Sequence, residues 1–410
     1  VNMLQRCGAI KACWAPSMGG TAEAIFKMCI GNGLGFEFDE AFAVVDSRLF
    51  NYDYGSFIVE MGEAPDGIFS EKQLPHGVSV GFLGRTTADG VIRLGEEEVG
   101  IDILTAAYEG KLEDIYNCNI KQEIGPVENV TFKADKWPAP LVKSAKPRIL
   151  IPVFPGTNCE YDSAKAAAAA GLDPEIMVIR NLSADDVSHS VEKFAKAAAE
   201  SQIIFIPGGF SGGDEPEGSA KFITAFFRNG AVKEQVTKLL EERDGLMLGI
   251  CNGFQALVKL GLVPYGKIID TDADSPTLTF NVIARHQSKI VRTRVASNKS
   301  PWLALTQPGE IYSVPISHGE GRFIANDAVL AELIKNGQIA TQYVDLDGMA
   351  SADVRFNPNG SVMAIEGITS PDGRVLGKMG HSERVGAGLY RNVPGDYDIK
   401  LFAAAKEYFK

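Results

Sequence analysis

Residues 148–261 alternate short apolar runs with longer amphipathic stretches, and glycines stand at the joints. The runs at 149–154, 176–179, 203–206 and 246–250 have the length of buried strands. Helical spacing or composition marks 161–170, 190–200, 220–228 and 232–243. Strands alternating with helices across short loops predict a parallel sheet covered on both faces. Such a sheet gathers its functional groups beyond the carboxyl ends of its strands.

The last joint of this series is the most restrictive. Gly249-Ile250-Cys251-Asn252-Gly253 stands between the 246–250 run and a stretch in which Phe254, Leu257, Val258 and Leu260 recur at helical spacing. A small residue two before and two after a nucleophilic side chain, between strand and helix, is the pattern of a nucleophile elbow. The turn is sharp, so its flanks must be small. A thiol at a helix N-terminus is favoured as thiolate, because the unpaired N–H groups and the helix dipole attract negative charge. Taken alone, Cys251 reads equally as a buried core thiol, a common state of free cysteine.

A cysteine nucleophile needs a base, and the base needs an orienting group. The five histidines are at 76, 189, 286, 318 and 381. His318 lies in V-P-I-S-H-G-E-G-R-F. On an extended segment residues i and i+2 project to one side, which puts His318 beside Glu320 with Gly319 and Gly321 leaving room. The expectation is that Glu320 orients His318 and that His318 takes the proton of Cys251. Gly208-Gly209-Phe210 follows the 203–206 run. With the amide after the nucleophile, that of Asn252, the N–H groups of Gly209 and Phe210 are the expected oxyanion hole. That arrangement implies acyl transfer through a thioester. Cys159, in Pro155-Gly156-Thr157-Asn158-Cys159, is a rival nucleophile that lacks the small-x-nucleophile-x-small frame. His381, in Gly380-His381-Ser382-Glu383-Arg384, is a secondary candidate to line the cleft.

Residues 1–140 read as a separate α/β unit, with 141–147 as linker in the Pro-rich, basic stretch 137–148. Ser17-Met18-Gly19-Gly20 opens a helix that Asn32-Gly33 closes. Strands are expected at 57–61, 79–84 and after Asp89-Gly90, and a helix at 101–109. The pair Gly19-Gly20 reads either as a phosphate cradle at a helix N-terminus or as a close-packed turn. Residues 275–295 and 340–378 look β-rich, with hairpin signals at Asn359-Gly360 and Asp372-Gly373.

A formal net charge of −12 without a basic run argues against nucleic acid and against anionic membrane surfaces as partners. The six cysteines, at 7, 13, 29, 118, 159 and 251, form no C-x-x-C pair, which suits reduced thiols in a cytoplasmic protein. No apolar run reaches transmembrane length. The chain opens at Val1 without Met, and the expectation is a piece of a longer polypeptide.

Residues 148–410 resemble the triad-type (class I) glutamine amidotransferases, which have a flavodoxin-like parallel sheet. The elbow G-x-C-x-G-x-Q, the loop G-G-F and the segment H-G-E-G-R-F stand in that family's order. P-G-T-N-C-E, G-G-F-S-G-G-D, C-N-G-F-Q, S-H-G-E-G-R-F and N-P-N-G-S are most similar to the glutaminase part of the phosphoribosylformylglycinamidine synthase family. The family usually has Pro on both sides of the histidine at 381, where this chain has Gly380 and Ser382. Residues 1–140, through G-G-T-A-E-A-I-F-K-M-C-I-G-N-G-L-G-F, look like the C-terminal α/β subdomain of the synthetase module, the type shared with aminoimidazole ribotide synthetase. The acidic D-x-S-D-type sequence that often precedes the Gly pair there is replaced by Ala15-Pro16-Ser17-Met18. The resemblance implies that Cys251 attacks glutamine, that His318 and Glu320 complete the triad, and that Gly208, Gln255 and His381 line the glutamine pocket. It implies that the released ammonia serves the conversion of formylglycinamide ribonucleotide to the amidine. ATP and Mg2+ would be needed for that step, bound mostly by domains outside this chain, and none for glutamine hydrolysis.

Overall fold

The structure is a computed structural model. It describes residues 1–43, 49–52, 54–62, 76–117, 120, 125–211, 220–391 and 393–410. Cys118 and the end of the glycine loop, Gly212-Gly213-Asp214, lie outside the described residues. The chain forms two compact units, Val1–Asn119 and Ile120–Lys410.

The first unit runs α1 (Asn2–Arg6), β1 (Ile10–Trp14), α2 (Gly20–Ile30), β2 (Gly35–Phe38), α3 (Glu40–Ala43), β3 (Ile58–Met61), β4 (Gly84–Thr87), β5 (Val91–Leu94), β6 (Glu97–Gly100) and α4 (Ile101–Gly110). A four-stranded sheet has the order β4-β2-β5-β6, and β1 pairs with β3. Ile25 and Cys29 of α2 bury one helical stripe against Phe36, Phe38 and Phe42. The two glycines that open α2 make a close-packed turn. A Cβ on Gly20 would stand 2.6 Å from the Leu49 carbonyl oxygen. The Gly19 amide and the Ser17 hydroxyl both donate to Glu23 Oε2, at 3.0 Å each. The helix N-terminus is thus filled by a carboxylate of its own first turn. Of the expected strand at 79–84, only Gly84 is in a strand. Val78, Val80 and Phe82 alternate as a strand would, but they are exposed, with no partner strand among the described residues.

The second unit contains β7 (Arg148–Val153), α5 (Glu160–Ala169), β8 (Asp173–Val178), α6 (Ala184–Glu200), β9 (Ile203–Ile206), α7 (Lys221–Arg228), α8 (Gly230–Glu241), β10 (Leu246–Ile250), α9 (Asn252–Leu260) and α10 (Leu262–Tyr265). It continues with β11 (Thr277–Phe280), β12 (Gln287–Val295), β13 (Ile311–His318), β14 (Glu320–Ile324), α11 (Asp327–Lys335), β15 (Ile339–Val344), β16 (Ile365–Thr369), β17 (Val375–Lys378) and α12 (Leu401–Tyr408). Nine strands make one sheet in the order β13-β12-β15-β16-β17-β10-β9-β7-β8. The five from β8 to β17 are parallel, and β16, β15, β12 and β13 extend them antiparallel. Numbered among themselves, the parallel strands run 2-1-3-4-5, the flavodoxin-like order. The buried runs in β7, β9 and β10 carry no polar side chain, as strands covered on both faces require. Phe154, Phe194, Phe226 and Phe227 pack edge to face between sheet and helices.

Packing sets the boundary between the units earlier than composition did. Residues 125–147 belong with the second unit. Val130 is part of its core, the Phe132 amide donates to Ala296 O, and Trp137 Nε1 donates to Asn298 O. A proline-rich sequence lacks periodicity whether it is a free linker or a strap laid on a surface. Asp372-Gly373 makes the expected hairpin, joining β16 to β17. Asn359-Gly360 instead turns a loop, where Asn357, Asn359 and Ser361 satisfy one another.

Candidate active site

The elbow forms as its glycines demand. Cys251 has φ 53° and ψ −108°, a conformation that costs a non-glycine residue strain and recurs at functional sites. A methyl on Gly253 would overlap the Ile206 carbonyl oxygen, and one on Gly249 would lie 2.6 Å from that of Gly253. The strand can therefore turn into α9 only with both flanks bare. Cys251 is the N-cap of that helix and 4% exposed.

Parallel pairing decides what stands next to it. β17 lies beside β10 in register, Ile250 opposite Lys378, and the Cys251 amide donates to Lys378 O at 2.9 Å. Both strands end at the same edge, so the residues just after β17 arrive at the thiol. His381 is among them. A Cβ on Gly208 would touch His381 Cε1, Cys159 Sγ and Cys251 Cβ at 2.7, 3.1 and 3.4 Å. Gly208 is thus the bare floor on which three side chains converge.

His381 Nδ1 is 2.7 Å from Glu383 Oε1, and both residues are buried. Burial opposes charge on this imidazole more than any other single effect. Glu383, together with contacts to Cys159 and Cys251, outweighs it and raises the pKa well above the ordinary histidine range. Cys159 Sγ is 3.8 Å from His381 Nδ1 and accepts from Arg384 Nη2 at 3.1 Å.

The pair expected from the sequence sits differently. His318 ends β13 of the large sheet, whereas Glu320 begins β14, which pairs with β11 in another sheet. The chain changes sheets across Gly319, so His318 and Glu320 are not two positions on one extended strand. His318 is buried against Gly321, and among the described residues neither of its ring nitrogens has a hydrogen-bond partner. Burial, then the neighbouring His381 and His286, push its pKa down to about 3. The segment still borders the site, since Cys251 Sγ lies 3.9 Å from Ser317 O.

The loop after β9 pairs with the loop before α5. Thr157 and Gly209 form an antiparallel bridge in which the Phe210 amide donates to Gly156 O (2.8 Å) and the Asn158 amide to Gly208 O (3.3 Å). Phe210 N–H is therefore engaged, against the expectation that it faces an oxyanion. In such a ladder the bridged residue's own amide points the other way. That residue is Gly209, with φ 155° and no room for a Cβ beside Gly156 O and Thr157 Cα. Asn252 Oδ1 accepts from Ser211 Oγ (2.7 Å), and its Nδ2 donates to Gln255 Oε1 (2.9 Å). Gln255 Nε2 in turn donates to Glu320 O (2.6 Å). Gln255 thus ties the elbow helix to the H-G-E-G segment. Glu383 was within the stretch noted around His381 but carried no expected role. The signal for it was H-x-E directly after the strand that neighbours the elbow.

A parallel sheet of 2-1-3-4-5 order with a cysteine elbow and a buried histidine–carboxylate pair at its edge defines an amidotransferase-type hydrolase site. Residues 146–409 match the family of CobB/CobQ-like glutamine amidotransferase domains, and the chain belongs to that family. The phosphoribosylformylglycinamidine synthase subunit PurQ of Synechococcus elongatus is 34% identical over 264 residues, 62% of this chain and 96% of that protein. The corresponding subunit of Methanococcus maripaludis is 33% identical over 260 residues, 62% of this chain and 87% of the relative. Among solved structures, PurLQS from Thermotoga maritima matches 65% of this chain and all of its own, with 27% identity and a TM-score of 0.46.

Proposed function

We propose that this chain hydrolyses glutamine with Cys251 as nucleophile, His381 as acid–base and Glu383 as its orienting carboxylate. The ammonia is proposed to serve the synthesis of phosphoribosylformylglycinamidine, the product in the names of its relatives, by ATP-dependent conversion of formylglycinamide ribonucleotide. The observation that carries the reading is the 2.7 Å pair His381–Glu383 beside a strained cysteine at a helix N-terminus.

Cys251 passes its thiol proton to His381, whose charged form Glu383 stabilises. The thiolate attacks the side-chain amide carbon of glutamine. The amides of Gly209 and Asn252 stabilise the oxyanion. His381 gives its proton to the departing nitrogen, ammonia leaves, and a glutamyl thioester remains. Neutral His381 then takes a proton from water, which attacks the thioester and releases glutamate. His318, buried and neutral with nitrogens unengaged among the described residues, offers hydrogen bonds to the bound substrate beside the Ser317 carbonyl, and Gly208 gives the substrate space.

ATP and Mg2+ belong to the synthetase reaction. The helix N-terminus at Gly19-Gly20 is already filled by Glu23, which does not suit a phosphate there. The nucleotide of that reaction is proposed to bind chiefly to a synthetase partner. Residues 1–119 are proposed as the C-terminal α/β part of such a synthetase. No helix among the described residues is long and apolar enough to cross a membrane. A cytoplasmic enzyme without nucleic-acid partners is the corresponding proposal.

A second reading makes Cys159 the nucleophile, because its Sγ lies 3.8 Å from His381 Nδ1. A glutamine chloroketone, followed by peptide mass mapping, distinguishes the two. Label on Cys251 is expected, and label on Cys159 alone would reverse the assignment.

A further inference from the structure

Close to His381 lies a fully buried ion pair that takes no part in the proton transfers described above. Glu366 in β16 and Lys378 at the end of β17 meet at 3.1 Å, with side chains 0% and 1% exposed. Burying two charges is costly, and an apolar pair of similar volume often serves stability as well or better. The pair's other bonds point to a different use.

Lys378 Nζ donates to Gly380 O at 3.0 Å and to Ser382 Oγ at 2.9 Å. With Glu366 these use all three of its protons. Glu366 Oε1 accepts the Gly380 amide at 2.6 Å, and Glu366 Oε2 accepts Thr341 Oγ1. The residue before His381 is therefore held by both its N–H and its C=O, and the residue after it by its hydroxyl. Gly380 fits so closely that a Cβ would lie 2.7 Å from Val314 Cγ2 and 2.9 Å from Glu366 Oε1. Lys378 also accepts the Cys251 amide through its own carbonyl. One residue thus grips the nucleophile's backbone with its main chain and the histidine loop with its ammonium.

We infer that Lys378 and Glu366 are a positioning pair that fixes the distance between Cys251 and His381. The inference rests on His381 being the acid–base. Misplacement of reacting groups by about 1 Å costs on the order of 100-fold in rate. A loop containing a glycine and a serine beside the histidine needs such a clamp, because neither side chain restricts the backbone much by packing.

The test uses the full chain together with the synthetase that accepts its ammonia, and compares Glu366→Gln/Lys378→Met, Ser382→Ala and His381→Asn. The double variant removes both charges at nearly constant volume, so neither is left unpaired. Expected is a fall in kcat of about 10- to 100-fold with KM for glutamine within about 3-fold. The pH profile of Cys251 alkylation by iodoacetamide should move with it. Ser382→Ala removes one of the clamp's bonds and no charge, and should lower kcat about 3- to 10-fold at a temperature where the variant is still fully folded. It decides the matter if the double variant does not fold. Wild-type kcat and alkylation profile in a folded double variant, or in Ser382→Ala where the double does not fold, would overturn the proposal. So would losses that only track the fraction folded. His381→Asn separates the two levels, because full activity there removes the acid–base assignment rather than the clamp.

Discussion

Two His-x-Glu segments border the same thiol, and they have opposite electrostatics. His381 and Glu383 are bonded at 2.7 Å, and the imidazole is held charged. His318 is buried just as deeply, yet both of its nitrogens lack partners among the described residues and its pKa falls to about 3. Spacing is the same in both. The difference lies in the backbone. After β17 the chain enters a loop that lets His381 and Glu383 turn toward each other. After β13 it passes at Gly319 into a strand of another sheet, whose register is set by β11. Burial without a carboxylate lowers an imidazole's pKa, and burial beside one raises it.

The largest effect expected from this contrast is on catalysis. His381→Asn should reduce glutamine hydrolysis by about 1,000-fold or more, whereas His318→Asn should cost about 10-fold or less, chiefly in KM. Steady-state glutamate release, measured with the synthetase partner present, checks both. Equal losses would erase the functional distinction between the two segments.

A smaller effect concerns acid stability. The folded protein keeps His318 neutral down to about pH 3, while the unfolded chain protonates it near its ordinary pKa of about 6.5. Protons then favour the unfolded state, so His318 costs stability progressively as pH falls from about 6.5 toward 3. At pH 5 the cost is about 2 kcal/mol. His318→Asn should lose correspondingly less stability between pH 7 and pH 5 than wild type does. Urea denaturation at the two pH values reads this directly, and comparing slopes cancels the packing change common to both. His381 has the opposite sign. Its contribution is fully present below about pH 6.5 and is lost as pH rises through its raised pKa.

A third effect, of similar size, tests how the elbow is attached to each segment. Gln255→Ala removes the side-chain bonds to Asn252 and to Glu320 O. It should destabilise the second unit by about 1–3 kcal/mol and lower activity through the H-G-E-G segment. The pH profile set by His381 should stay in place, because β17 is attached through the Cys251 amide instead. Thermal melts and a pH–rate profile of that variant check the two halves of the statement.

Much of the second unit was legible because its local rules agree. Apolar runs of strand length, helices between them and glycines at the joints specify the parallel sheet, and Gly249 and Gly253 specify the elbow for a steric reason visible in spacing alone. The histidine was not legible by the same means. H-x-E occurs twice, and the glycine-flanked copy at 318 looked roomier. What selects His381 is that β17 neighbours β10, a pairing between strands more than 100 residues apart that no local pattern encodes. Phe210 failed as an oxyanion donor for a similar reason, since its amide is taken by Gly156 across a bridge. The strap at 125–147 shows the same limit. Proline-rich sequence marks irregular backbone and leaves open what that backbone lies on.

The central claim is that Glu383, acting on His381, sets the charge state of the Cys251 site. The most direct measurement is the pH dependence of Cys251 alkylation by iodoacetamide in wild type, Glu383→Gln and Glu320→Gln. Loss of the Glu383 carboxylate should lower the His381 pKa and move the alkaline limb of the thiolate–imidazolium window to lower pH, with Glu320→Gln leaving that limb where it is. A limb that moves in Glu320→Gln and stays fixed in Glu383→Gln would contradict the account.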